Sequence, residues 1–407
     1  MIDDSLLDDP AALQRADRDH ALLALAGAGA RVRTALRLAD DAGLAALRPD
    51  GRPRTLLVAG HGSVLAAGGA LAVLAAGTTQ VLPLPPTDAE PVRRDRTAAD
   101  PVFSAGMSWQ LPGWVGPIDL LVIASIDGTE QGLIGLAQQA YARGCSVVVI
   151  APTTSPLTEA AHQVRGLPLP YAPSAVDPAD QAADAEPDLP ALDPGALWAL
   201  LAPLLALTEK LGVTQLPPGS LQATADRLDE AAVRCRPDAG AYVNPAKDLA
   251  AKLSGTVPLL WAEGPVATAV AERFATMLAD RAGRPALAGA LPQVLTAHRG
   301  MFVGQLGSGA DPDDFFRDRV DEPDPLLLQV LLLRQTPGRA AEPAEEDQAE
   351  VPEPSYPVRR AHRLAEAHEV RLTEYRSALA DPLQALAELT ALTDFAAVYL
   401  GLAATRD

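Results

Sequence analysis

The sequence predicts an α/β protein in which a parallel sheet flanked by helices, three layers deep, occurs twice along the chain. Three observations carry that prediction. Leu120–Ala124 and Val147–Ile150 are short, evenly apolar runs rich in Leu, Val and Ile, which suits strands buried on both faces. Between them Leu133, Leu136, Ala137, Ala140 and Tyr141 recur at three- and four-residue steps, the apolar stripe of a helix lying on a sheet. The same alternation of strand and helix returns, more faintly, in the second half. Strand, helix and parallel strand form a right-handed unit, and its ligands sit at the carboxyl ends of the strands, where helix N-termini offer free N–H groups.

Taken in order, Ala21–Leu44 is an Ala- and Leu-rich amphipathic helical region. Arg54–Gly60 is a strand running into Gly60-His61-Gly62-Ser63, and a helix of small residues follows to about Ala76 before a short strand at Gln80–Leu84. Pro86–Pro101 reads as an exposed loop, and Ser108–Trp114 as a Trp-bearing approach to the Leu120 strand. Gly144 stands where a helix end favours positive φ. Thr153–Ala160 can start a helix and Gly166–Pro170 a strand. Pro173–Pro194 holds six acidic residues and no basic one, the composition of a linker. Further on, the sequence predicts helices over Gly195–Leu211, Leu221–Cys235, Val266–Arg281, Arg359–Ala365 and Pro382–Leu402. Asn244 is placed as the N-cap of another helix, before Pro245. Strands are predicted at Val257–Ala262, at Pro325–Arg334 (central) and at Glu369–Tyr375 (edge). Pro337–Pro357 is acidic, rich in proline and reads as disordered. The resulting domains are 1–45, a helical segment packing on the first domain; 46–194, including the linker 173–194; and 195–407, including the insert 337–357.

Composition narrows the function classes. At 407 residues, 48% hydrophobic and 21% charged, the chain can bury two cores. A net charge of -19 leaves no basic stripe with which to displace counterions from nucleic acid. Cys145 and Cys235, the two cysteines, lack metal-ligand spacing, and Cys145 reads as a small buried hydrophobe. The acidic amino terminus does not read as a secretory signal, and no window approaches the roughly 20 apolar residues of a membrane span. A cytoplasmic protein without metal or cofactor is the expectation.

Two loops could carry chemistry. Glycines at Gly60 and Gly62 let the backbone approach an anion, with Ser63 as N-cap or ligand. In the loop Ser125–Thr129, hydroxyls meet a helix start whose partial positive charge suits a phosphate, although Asp127 either repels it or caps the helix. Lys247 and Arg273 read as helix-surface charge. A GxGxxG turn for a dinucleotide is missing after the first strand.

Several stretches, in order and spread over nearly the whole length, resemble the sugar isomerase (SIS) superfamily, in particular tandem-domain proteins of the phosphoglucose/phosphomannose isomerase type. They are IDDSLLDDP at 2–10, VAGHGS at 58–63, LPGWVGPIDLLVIAS at 111–125, NPAKDLA at 244–250, ERFATMLADRAGRPALAGALP at 272–292, DPDDFFRDRV at 311–320 and DFAAVYLGLA at 394–403. The resemblance implies two SIS domains, a sugar-phosphate ligand, a homodimer, and proton transfer between C2 and C1 of an opened hexose phosphate. It puts the ligand on Gly60, Gly62, Ser63, Ser125, Gly128 and Thr129. The family's base Glu falls on Asp280, one methylene shorter, and a misplacement of about 1 Å can cost on the order of a hundredfold in rate. The family's His falls on Thr296, with His298 two residues on, as an exposed loop residue that a local shift would bring in. An arginine near the linker and a lysine after the last helix have no counterpart. The resemblance therefore implies a sugar-phosphate binder with degenerate catalytic positions and weak or no turnover. The alternative is an active aldose–ketose isomerase with Asp280 as base and His298 as acid.

Overall fold

The computed structural model describes residues 4–49, 51–75, 77–89, 107–176, 193–303, 327–337 and 354–404. The chain divides into two compact units, Asp17–Glu230 and Met1–Ala16 with Ala231–Asp407. Most of the linker 173–194, most of the insert 337–357, much of the loop 86–101 and the whole stretch 311–320 lie outside the described residues.

In the first unit five strands form one all-parallel sheet: β1 (Thr55–Ala59), β2 (Gln80–Leu84), β3 (Leu120–Ala124), β4 (Ser146–Ala151) and β5 (Leu167–Pro170). Their order is β2-β1-β3-β4-β5, with Val58 opposite Val122 and Ile123 opposite Val149. Every residue of β1 and β3 is buried, as their even apolarity requires. The helices are α1 (Ala28–Asp41), α2 (Ser63–Leu74), α3 (Gln131–Ala142), α4 (Pro156–Gln163) and α5 (Ala196–Lys210). The sequence pattern fixed α3 well: Leu133, Leu136, Ala137 and Ala140 pack in one cluster with Leu121, Ile123, Val147 and Val149. Each fully buried Leu contributes roughly 2 kcal/mol. Tyr141, assigned to the same stripe, instead stands half exposed at the helix's last turn. Cys145 is buried as expected; its thiol donates to the Asp119 carbonyl at 3.3 Å, and burial pushes its pKa up to about 11. The Trp-bearing approach forms a two-stranded ribbon, Met107–Ser108 against Asp88–Ala89, and the buried Trp109 donates its indole N–H to the Leu84 carbonyl at 3.2 Å.

The second unit holds a four-stranded parallel sheet of β6 (Thr256–Glu263), β7 (Leu287–Ala290), β8 (Leu327–Arg334) and β9 (Arg371–Arg376), ordered β9-β8-β6-β7. Strand β8 is interior and β9 is an edge, as the sequence predicts. Strand β7, with the sequence LAGA, has no periodicity to betray it and was not foreseen. The helices are α6 (Pro245–Leu253), α7 (Pro265–Ala282), α8 (Tyr356–Ala367) and α9 (Pro382–Ala403). Asn244 caps α6, its side-chain oxygen accepting from the Ala246 and Lys247 amides at 3.0 and 3.1 Å. Helix α9 is long and apolar enough to cross a membrane by length and composition, against the sequence expectation, yet most of it is buried against its own unit.

Two cations read as surface charge are in fact buried. Arg273 on α7 and Asp394 on α9 form a two-pronged pair, Nη2 to Oδ2 at 2.7 Å and Nε to the carboxylate at 3.0 and 3.1 Å, with both side chains less than 8% exposed. Lys247 is fully buried, and its ammonium donates to the carbonyls of Leu7, Pro237 and Ala239 at 2.6, 2.6 and 2.8 Å, 5.5 Å from the centre of the Tyr399 ring. An amphipathic helix pattern cannot distinguish a lysine in water from one that finds three backbone acceptors.

Because those carbonyls have no substitute donor, Lys247→Met is expected to destabilise the protein by about 2–4 kcal/mol. A urea unfolding series on the two proteins measures this, and an unchanged midpoint would refute the clamp.

Candidate functional site

A parallel sheet of order β2-β1-β3-β4-β5 reverses its winding between β1 and β3, and the loops leaving those two strands diverge there and open a crevice. The loops are Gly60–Ser63 and Ser125–Glu130, the two that the sequence singled out. A side chain at Gly60 would meet the Ala124 carbonyl at 2.7 Å, so the chain passes the end of β3 closely only because residue 60 has none. Gly62, with φ 54°, caps α2; Ser63 therefore occupies the first helical turn rather than the cap expected for it. Ser63 is buried, and its hydroxyl has no hydrogen-bond partner among the described residues.

The second loop closes on itself. The Ser125 hydroxyl accepts from the Gly128 amide at 2.7 Å and lies 2.8 Å from both oxygens of Glu130. Gly128 takes φ 71° and packs so closely on Ser155 that a Cβ would fall 2.5 Å from it. Asp127 does not cap the helix: its carboxylate accepts from the Thr129 amide at 3.3 Å and lies 3.1 Å from Ser125 Oγ, while Glu130 takes the cap position of α3. The Thr129 hydroxyl has no partner among the described residues.

Glu130, to which sequence reasoning assigned no role, joins the two loops. It is 1% exposed, and His61 Nε2 lies 2.8 Å from its Oε1. Burial alone would push this carboxyl's pKa up; the hydrogen bonds from His61 and Ser125 overcome that and hold it below the ordinary carboxylate range. An ionised carboxylate thus sits between the glycine turn and the hydroxyl loop. The signal in the sequence was the pairing of His61 with an acid across the strands, which no spacing rule reveals.

The other predicted residues lie in the second unit. Asp280, in the last turn of α7, pairs with Arg281 Nε at 2.8 Å. His298 is not an exposed loop residue but a buried one: it falls between the short helices Val294–Ala297 and Arg299–Phe302, and its Nδ1 accepts from the indole N–H of Trp261 at 3.1 Å. Burial lowers its pKa, so the imidazole is neutral near pH 7, with its proton on Nε2.

This unit's own switch point lies between β6 and β8, where Glu263 and Arg334, the terminal residues of the two strands, stand side by side in register. Arg334 is 2.6 Å from Glu263 and 2.6 Å from Glu374, and His362 and Arg376 approach Glu374 at 3.3 and 3.5 Å. Burial pushes Glu374 up, but Arg334 leads the groups that hold it below the ordinary range. Sequence reasoning missed this cluster, although apolar strands ending abruptly in Glu and Arg were its visible trace.

Two parallel α/β units thus each gather polar groups at the switch point of the sheet, His61 with Glu130 in the first and Glu263 with Arg334 in the second. The family model of the bacterial phospho-glucose isomerase C-terminal SIS domain matches residues 242–407, and that part of the chain is similar to an SIS domain. A structure from Clostridium difficile 630, provisionally assigned as a phosphosugar isomerase, superposes with a TM-score of 0.55 at 10% identity over 94% of this chain and 95% of its own. One from Salmonella typhimurium LT2, provisionally assigned as a sugar binding protein, gives 0.50 at 12% identity over 91% and 98%. At such identities the likeness is one of fold. No protein of curated function matches the sequence.

Two titrations test these sites. The folded pKa of Glu130 lies below its ordinary 4.5, so its contribution to stability is full above pH 4.5 and is lost as pH falls through the folded value. Glu130→Ala is expected to flatten that acid limb in urea midpoints taken against pH. For His298 the folded pKa lies below 6.5, so the unfolded chain binds the proton first and stability falls as pH drops below 6.5. An NMR titration is expected to place His298 below 6.5 and to move it upward in Trp261→Phe; a value at or above 6.5 in the parent protein would contradict the burial argument.

Proposed function

We propose that this chain binds a sugar phosphate at the carboxyl edge of its first sheet and converts it weakly or not at all. The observation that carries the binding half is the meeting of two hydroxyls without a partner among the described residues, Ser63 and Thr129, with the N-termini of α2 and α3 at one switch point. Hydroxyl donors with helix-end amides suit a phosphate monoester. The fold shared with a protein assigned as a phosphosugar isomerase supports the same ligand class.

Weak turnover follows from the groups that would move protons. The carboxylate at position 280 is the shorter Asp, tied to Arg281. Ser125, which a phosphate would recruit, is held by the ionised Glu130, and a buried negative charge there opposes a second one. The alternative, an active isomerase interconverting glucose 6-phosphate or mannose 6-phosphate with fructose 6-phosphate, draws on the neutral, buried His298 as acid. A homodimer is part of the proposal, and light scattering reads it directly.

Thermal shift and calorimetry with the three hexose phosphates are expected to show saturable binding; at 100 times the dissociation constant a ligand stabilises by about 2.7 kcal/mol. Glu130→Gln removes the opposing charge and is expected to tighten binding about tenfold. A coupled assay is expected to detect little conversion. Turnover on the order of 1 to 1000 per second, abolished by Asp280→Asn, would establish the isomerase instead, and absence of binding to all three sugars would refute both readings.

A further inference from the structure

We propose that the first unit carries a second ligand site, at the amino edge of its sheet, that takes a small organic anion with a flat apolar body. A cleft of about 700 Å³ opens there, bounded by Leu120, Ser146 and Leu167, the first residues of β3, β4 and β5. It lies at the opposite end of the strands from Ser63 and Thr129. Its volume falls within the range of about 300–1,000 Å³ usual for small-molecule pockets.

The chemistry of the walls selects the ligand. Ile118 and Tyr141, 60% and 50% exposed, line the cleft and rank among the most exposed large apolar side chains of the described residues. Apolar surface left to water in a concave site is what an apolar ligand face removes. Arg48, Arg52 and Arg165 line the same cleft. Arg48 donates to the carbonyls of Ala45 and Leu47 at 3.3 and 3.1 Å, while Arg52 and Arg165 have no carboxylate partner among the described residues. Among the described lining residues the acid is Asp119, already matched by Arg54 at 2.7 Å. In a chain of net charge -19, three arginines gathered around one hollow are an exception that calls for an anion.

Helix dipoles account for only part of this. Helices α3, α4 and α5 end at this edge, and each C-terminus carries about half a negative charge, less in sum than three guanidinium groups. Nor does the turn explain Arg165, whose φ of 55° is a left-handed conformation that glycine adopts at lower cost. The aromatic ring of Tyr141 and the planar forks of the arginines together fit a planar body bearing a sulfonate, carboxylate or phosphate.

The test uses the full chain and 8-anilinonaphthalene-1-sulfonate, which has one apolar aromatic body and one anionic group. A fluorescence titration is expected to give saturable binding that weakens about tenfold or more in the double variant Arg52→Ser/Arg165→Ser. Tyr141→Ser is expected to weaken it too, whereas Thr129→Ala, at the other edge, leaves it unchanged. All four positions are at least partly exposed, and circular dichroism melts check that the variants fold. Salt is expected to weaken binding to the parent protein and to do so less for the double variant. Dye that binds without saturation, or equally well to the parent protein and the double variant, would overturn the proposal.

Discussion

In a parallel sheet every strand leaves at the same edge, so the first turns of the following helices gather there with their amides unsatisfied. Where the winding reverses, between β1 and β3, the two connecting segments run to opposite faces and cannot cover the gap between them. Much of the chemistry of this molecule follows from that constraint. It brings His61, at the end of one strand, against Glu130, beyond the end of the next, although 69 residues separate them. It does the same in the second unit for Glu263 and Arg334, 71 residues apart.

Buried charge is the second theme. Lys247, Arg273, Arg334 and Glu130 are all withdrawn from water, and each is compensated differently. Lys247 finds backbone carbonyls, Arg273 a two-pronged carboxylate, Arg334 two glutamates, and Glu130 an imidazole and a hydroxyl. Taking a charge out of water costs several kcal/mol even after relaxation, so removing one partner is more damaging than the pair is stabilising. Arg273 and Asp394 also explain why the stretches 272–292 and 394–403 belong together: they are the two sides of the contact between α7 and α9, a matter of architecture rather than of ligand chemistry.

At the candidate site this compensation has a chemical meaning. Ser125 has one proton to give, and two carboxylates, Asp127 and Glu130, lie within reach of it. A hydroxyl so engaged is a poor donor to an incoming anion, whereas those of Ser63 and Thr129 have no hydrogen-bond partner among the described residues. Glycines, hydroxyls and helix starts thus meet at this edge around a buried negative charge.

The sequence by itself determined the layers and their order. Apolar runs such as Leu120–Ala124 must be buried on both faces, and the stripe from Leu133 to Ala140 must lie on them, because no other arrangement removes those side chains from water. It also marked Gly128, whose positive φ and contact with Ser155 leave no room for a side chain. Tertiary structure alone decided which polar groups meet. Strand LAGA carried too little hydrophobic signal to be seen, Lys247 and His298 looked like surface residues, and Glu130 had no role until His61 was beside it. The reason is physical: hydrophobic burial follows a period that one segment carries within itself, whereas the state of a charge depends on partners supplied by segments remote along the chain.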